Sequence, residues 1–241
     1  MNYKSIIFFL FPYLLNEQVR IEWVKEQLKE LSTGESIIDV GAGECRYRKY
    51  CEHLEYKSQD FGQYEGTGDK IGLQTGKWDV SRIDIISDIL KIPVKSSSFD
   101  NILCTEVLEH VPYPDLAIKE MSRILKKGGK LILTAPFASQ THFSPYFFAT
   151  GFSINWYSKI LKQNKLKILK IEGNGSFFDY LNQELCRLPI MLKNYSNLGL
   201  LSYFLYAIIT PIILIIWFAS KFTEGSEKQL CFGYHVLARK I

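Results

Sequence analysis

The chain has no CxxC pair among its five cysteines, Cys45, Cys51, Cys104, Cys186 and Cys231. An odd number of scattered thiols argues against a disulfide framework or a metal site and suits a reducing compartment. No metal is therefore expected from the sequence. Nor is there a Lys/Arg-rich run, and a formal net charge of +4 over 241 residues is too small to mark a nucleic-acid binder. Internal repeats and low-complexity linkers are missing as well, so 1–241 reads as a single domain. The apolar N-terminal run "IIFFLFPYLL" is followed by no small-x-small cleavage site and is interrupted by Pro12. It reads as part of an N-terminal helical cap over 1–34, with an interfacial anchor as the alternative and a signal peptide disfavoured.

Core-forming material, by contrast, is plentiful. Hydrophobic residues make up 47% of the chain, aromatics 14% and charged residues 22%, a balance that fits neither a disordered chain nor a polytopic membrane protein. Strand-like and helix-like stretches alternate along it. "SIIDV", "EYKSQD", "IDIIS", the start of "SFDNILCTEVLEHV", "KLILTAPF", "KLKILKIEG" and "LCFGYHVLARK" read as seven strands. "EQVRIEWVKEQLKEL" places Val19, Trp23, Leu28 and Leu31 near helical spacing. "DLAIKEMSRILKKGG" places Leu116, Ile118, Met121 and Ile124 on one face before a glycine stop, and "SINWYSKILKQN" is a third helix. This alternation predicts an α/β fold with a parallel sheet covered on both faces.

In such a sheet ligands bind beyond the carboxyl ends of the strands, at the switch in strand order. After the first strand comes "DVGAGE", with Asp39, Gly41, Gly43 and Glu44. Glycines there let the backbone turn tightly and approach a ligand. The third glycine of the dinucleotide fingerprint is missing, because Arg46 stands in its place. Carboxylates at this turn would repel a pyrophosphate but attract an ammonium or a sulfonium, by a few kcal/mol at an effective dielectric of ~20. Asp60 follows Gly43 by a little under the ~20 residues expected of an acid that holds ribose hydroxyls. Asp88, after the third strand, suits the amine of an adenine, with Ile89 and Leu90 as apolar neighbours for the ring. Any one of these acids has an ordinary reading as a turn or cap residue; three at successive strand ends do not.

"IIDVGAGE", "SQDF", "SDILKIPVKSSSFDNILCTEVLEHV" and "MSRILKKGGKLILTAPF", spanning roughly Glu35 to Phe137, together resemble a class I S-adenosylmethionine-dependent methyltransferase of the type 11 group. "THFSPYFFATGFSINWY" is similar to a stretch in relatives found near surface-polysaccharide genes. The resemblance implies a Rossmann-like seven-stranded sheet whose last strand is antiparallel, with S-adenosyl-L-methionine as cofactor. It implies that Gly41, Ala42 and Gly43, beside Asp39, line the methionine part. Asp60 with Phe61 would then hold the ribose, Asp88 with Ile89 the adenine, and Cys104 with Thr105 would flank the sulfonium.

Aligning acceptor oxygen, methyl and sulfur is the main task of such an enzyme, and removing the acceptor's proton helps. His142, in the loop after the fifth strand, is the candidate base, with Tyr146 nearby and Glu106 facing cofactor or acceptor. The bland reading of His142 is a loop residue that only shapes a lid, and that of His110 is packing.

Between Lys193 and Lys221 no charged residue occurs. The run is long enough to span a bilayer, yet a single crossing would separate the seventh strand from its sheet. The expected reading is an apolar helical insertion over 174–227, between strands six and seven and near the active-site mouth, folded back at Thr210-Pro211 or lying on one side. Its 195–220 segment would contact a membrane surface or be covered in a lid or homodimer. The function expected is O-methylation of a membrane-proximal acceptor, such as a glycan or lipid-linked saccharide, by a cytoplasmic protein peripheral to the inner face of the membrane. A lipid or quinone-like acceptor is the first alternative, and a non-catalytic membrane- or partner-binding relative the second. No nucleic acid is expected as partner.

Overall fold

The computed structural model describes residues 16–198 and 201–241, with the backbone alone at 202 and 203. Seven strands form one sheet: β1 (Ser36–Val40), β2 (Glu55–Asp60), β3 (Ile85–Ile86), β4 (Phe99–Thr105), β5 (Leu125–Pro136), β6 (Leu166–Asn174) and β7 (Gly233–Lys240). Their order is β3-β2-β1-β4-β5-β7-β6. The pairs β1–β2, β1–β4, β2–β3 and β4–β5 are parallel, whereas β7 runs antiparallel to β5, from Lys130 opposite Arg239 to Pro136 opposite Gly233. The strand order reverses between β1 and β4, so the ends of these two strands open the crevice in which this architecture binds ligands.

The sequence forms central strands because its apolar runs are buried on both faces, as parallel strands require. Ile37, Ile38 and Val40 of β1 and Ile102, Leu103 and Cys104 of β4 are all fully enclosed. One layer over the sheet is α1 (Asn16–Lys29), which buries Trp23, Val24 and Leu28 against Ile37, Leu103 and Ile132. Trp23 also stacks on His235, with ring centroids 4.9 Å apart, and its indole N–H donates to Glu172 at 2.9 Å. The remaining sheet helices are α2 (Pro114–Ile124) and α3 (Ile154–Gln163).

Three local expectations are corrected. On α2 the buried face is Ala117, Ile118, Met121 and Ile124, while Leu116 is exposed. The helix ends at Ile124, before the glycines, because Leu125 is already extended and pairs with Phe99 as the first residue of β5. The third strand shrinks to two residues. Its approach is held by the Asp84 carboxylate, which accepts from the Ser58 N–H and hydroxyl, both at 2.8 Å, and from Arg48 at 3.0 Å.

The chain divides into two compact units. The sheet unit comprises Arg20–Glu172 and Gly233–Ile241. The other takes in the described residues up to Val19 together with Gly173–Phe232, and so contains the expected insertion. Within it, α4 (Phe177–Tyr195) and α5 (Leu201–Ser220) pack on each other. A capping box starts α4: the Ser176 hydroxyl accepts from the Asp179 N–H, and the Asp179 carboxylate accepts from the Ser176 N–H. Of the two expected arrangements, a fold-back at Thr210-Pro211 or a segment lying on one side, the fold-back does not occur, since α5 continues through Pro211. Proline there removes one helical bond, and the Thr210 hydroxyl donates to the Tyr206 carbonyl at 2.7 Å one turn back. Ile209, Ile213 and Phe232 make a small core, whereas Phe204, Ile208, Ile215 and Phe218 are each more than 60% exposed. Among the described residues no helix is long and apolar enough to cross a membrane. The run "IIFFLFPYLL" lies outside the described residues.

Candidate cofactor and acceptor site

The site begins where β1 stops. Gly41 and Gly43 have φ of +72° and +52°, a region that disfavours a side chain, and the N–H groups of Gly41 and Ala42 both donate to the Gln59 carbonyl, at 2.8 and 3.0 Å. Space excludes a side chain too. A Cβ on Gly41 would stand 2.3 Å from Val107, and one on Gly43 2.5 Å from the Trp78 ring. The turn is thus a bare backbone surface bounded by an aliphatic and an aromatic side chain.

Carboxylates from β1 and β2 surround it. Asp60, buried at the end of β2, accepts from the Gly43 N–H at 3.0 Å through Oδ2 and from the Gly62 N–H at 2.9 Å through Oδ1. Each oxygen keeps a second lone pair for a ribose hydroxyl. Asp39 is 1% exposed and accepts from the Tyr56 hydroxyl at 2.8 Å. Burial pushes its carboxyl up to about 7, against the Tyr56 hydrogen bond, with the Asp60 charge adding to the rise. Asp88 is exposed after β3, its Oδ1 accepting from the Leu90 N–H at 2.8 Å, and Ile89 beside it is buried. This donor set fits S-adenosylmethionine: backbone without side chains, carboxylates for hydroxyls and amine, and a buried acid for an ammonium.

Across the turn lies an aromatic cluster. Tyr64 stacks on Phe143 at 4.8 Å between centroids, and Trp78 meets both Tyr64 and Phe143 edge-on at 5.4 Å. The faces of such rings attract a sulfonium as they attract other cations. Phe143 stacks in turn on His110 at 5.0 Å, and His110 meets His142 at 4.7 Å. His142 is held there by backbone pairing between two loops. The Leu73 N–H donates to the Thr141 carbonyl and the Phe143 N–H to the Leu73 carbonyl, both at 3.0 Å. The Asp69 carboxylate accepts from the Ser144 hydroxyl at 2.8 Å and reinforces the join.

Behind the histidines stands Glu109, fully buried, with no hydrogen-bond partner on either carboxylate oxygen. Burial, and then the nearby Glu106 charge, push its pKa well up. His110 is pulled down to about 4, chiefly by burial and then by His142. Its Nδ1 lies 2.6 Å from the Tyr146 carbonyl.

The catalytic candidates therefore differ in their surroundings. His142 stands at the cluster. Tyr146 orients His110 through its backbone carbonyl and sets its ring edge-on to Phe61 at 4.9 Å. Glu106, at φ +53°, accepts from Arg20 at 3.1 Å and from the Thr134 hydroxyl at 2.9 Å, so both its oxygens are engaged in fastening β4 to α1 and β5. Cys104 is fully buried, and burial keeps its thiol protonated; Thr105 is half-buried. Sequence reasoning missed Tyr64, Trp78 and the pairing of Glu109 with His142. The one available signal was the glycine- and aromatic-rich stretch "FGQYEGTGDKIGLQTGKW", far longer than an ordinary strand connection.

A seven-stranded sheet in this order, with β7 antiparallel, is the fold of class I S-adenosylmethionine-dependent methyltransferases. Residues 38–133 match the family model Methyltransf_11, described as a methyltransferase domain, and S-adenosylmethionine is the cofactor of that domain. Methyltransferase GfsG of Streptomyces halstedii is 30% identical over 120 residues, covering 46% of this chain and 42% of that protein. A ubiquinone biosynthesis O-methyltransferase of Xanthomonas euvesicatoria is 31% identical over 119 residues, 48% of each chain. The chain thus spans less than half of these curated relatives. Among solved structures, geranyl diphosphate C-methyltransferase from Streptomyces coelicolor, in complex with Mg2+, geranyl diphosphate and S-adenosyl-L-homocysteine, superposes with a TM-score of 0.52 at 14% identity. That match covers 93% of this chain and 79% of the other, and it is a likeness of fold.

Proposed function

We propose that the protein transfers the methyl group of S-adenosylmethionine to a hydroxyl oxygen of a membrane-proximal acceptor, a glycan or lipid-linked saccharide. The observation that carries this reading is continuity: the glycine turn touches Trp78, Trp78 touches Phe143, and Phe143 touches His110 and His142. A polar group able to activate an oxygen thus stands at the far end of the surface on which the cofactor rests. When bound, the cofactor supplies an activated methyl that the acceptor oxygen takes as the sulfur leaves as a neutral thioether.

The chain's own residues do the rest. Asp60 and Asp88 hold the nucleoside, and Asp39 pairs with the amino-acid ammonium. The rings of Tyr64, Trp78 and Phe143 exclude water from the reacting line, and His142 activates the acceptor oxygen. The exposed apolar face of α5 favours an acceptor carried in a lipid surface, with the protein peripheral on the inner face of the membrane. A quinone-like acceptor is the second reading, favoured by the likeness to ubiquinone biosynthesis O-methyltransferases. The test is incubation of the full chain and methyl-labelled cofactor with extracted envelope glycans and lipids. Label in a saccharide-bearing lipid supports the first reading, label in a quinone the second, and label in neither overturns both.

The pairing of Asp39 with an ammonium gives a pH prediction. Its folded pKa of about 7 lies above the ordinary aspartate value of 3.8. The stability this group contributes to the unliganded fold is therefore fully present below the unfolded value and is lost as pH rises through the folded one. A cationic ligand favours the ionised form, so binding has the opposite trend. Affinity for the cofactor should be about tenfold higher at pH 8 than at pH 6. Calorimetry at the two values checks it, and Asp39→Asn should flatten the difference.

A further inference from the structure

We propose that Glu109, His110 and His142 bind a divalent transition-metal cation. Their candidate ligand atoms all lie within 4.8 Å of one another. The Glu109 Oε1 is 3.7 Å from His110 Nε2 and 3.9 Å from His142 Nε2. Those separations are too long for hydrogen bonds. Both oxygens of Glu109 and the Nε2 of His110 are buried with no hydrogen-bond partner. Leaving such groups unsatisfied in a protein interior is costly, and one cation among them would satisfy all three.

The histidine tautomers agree. A carbonyl oxygen only accepts, so the contacts of His110 Nδ1 with the Tyr146 carbonyl at 2.6 Å and of His142 Nδ1 with the Gln140 carbonyl at 2.9 Å place a proton on each Nδ1. In the neutral rings each Nε2 then carries a bare lone pair, and both point toward the same carboxylate. Backbone carbonyls fixing the outer nitrogen of each imidazole are the support that metal-binding histidines require. Bonds of ~2.0–2.2 Å would bring tetrahedral ligand atoms to ~3.4 Å apart, so binding would draw the Glu109 oxygen and the two imidazoles together from the present separations of 3.7 and 3.9 Å. Two imidazoles and one carboxylate suit Zn2+, Mn2+, Fe2+ or Co2+ better than Mg2+ or Ca2+.

Three protein ligands leave coordination positions open. On the reading that the acceptor is a hydroxyl, which this part of the inference rests on, the acceptor oxygen takes one of them and its pKa falls. The step then balances. The hydroxyl proton passes to water, an oxygen lone pair forms the O–C bond, and the C–S bond breaks with its electron pair returning to sulfur. His142 would thus act through the cation and not as the proton acceptor.

The test uses the full chain stripped by a chelator and then titrated with Co2+, read by its visible d–d absorption, and with Zn2+ by calorimetry. One equivalent should bind, and Glu109→Gln and His142→Ala should each weaken binding by about 100-fold or more. Cofactor titration of the same variants reports whether each is still folded. No Co2+ or Zn2+ binding, or equal affinity in the wild type and in folded variants, overturns the proposal. Methyl transfer that survives complete metal removal overturns the catalytic part and leaves the methyltransferase reading standing. Metal binding by a protein that binds no S-adenosylmethionine does the reverse.

Discussion

Asp60→Ala is expected to weaken S-adenosylmethionine binding by about two orders of magnitude. Hydrogen bonds to a charged group contribute ~1.5–3 kcal/mol each, and a factor of ten corresponds to ~1.4 kcal/mol. Asp60 does two things that alanine cannot. It holds the glycine turn through the Gly43 N–H and the chain beyond β2 through the Gly62 N–H, and in the proposed site its remaining lone pairs would accept from the ribose hydroxyls. Asp60→Asn separates these roles, because an amide retains one carbonyl acceptor for the turn but brings donors where the ribose hydroxyls donate. Calorimetric titration of both variants checks the prediction. Alanine should lose the most, asparagine should fall between it and the wild type, and unchanged affinity in both would remove Asp60 from the cofactor site.

His142→Ala should lower turnover by about 100-fold or more while cofactor affinity stays within about twofold. The separation is expected because the loop junction that positions residue 142 is made by backbone groups, from Thr141 and Phe143 to Leu73. Truncating the imidazole leaves it intact, and leaves the rings of Tyr64, Trp78 and Phe143 beside the glycine turn. Single-turnover kinetics with labelled cofactor, set against titration of the same protein, distinguishes the outcomes. A parallel loss of affinity would make His142 part of the cofactor site instead of the acceptor end.

What could be read from the sequence was local to strand ends. "SIIDV" is apolar on both faces and ends in glycines, so strand, turn and Asp39 were legible together. Asp60 and Asp88 were legible because each follows its strand directly. A seventh strand was legible in the alternation of Phe232, Tyr234, Val236 and Ala238, all of which are buried, whereas its antiparallel direction was implied by the family resemblance alone. The proposed acceptor end was less visible because it is assembled from separate loops. "EVLEH" and "THF" lie far apart in sequence, and spacing alone does not show that Glu109 meets His142. The rings of Tyr64 and Trp78 belong to a long connection with no periodicity, fastened to the 141–144 loop through Leu73 and Asp69. Pro211 read as one candidate point of reversal because the seventh strand has to rejoin the sheet. The apolar residues around it nonetheless continue the helix, Ile209 and Ile213 on either side being buried.

Calorimetric titration of the purified full chain with S-adenosylmethionine and, separately, with NAD tests the central claim most directly. Saturable binding of S-adenosylmethionine at a single site, with no heat from NAD, is the predicted result. Binding of NAD, or silence with S-adenosylmethionine, would contradict the assignment of the glycine turn and its carboxylates to a cationic methyl donor.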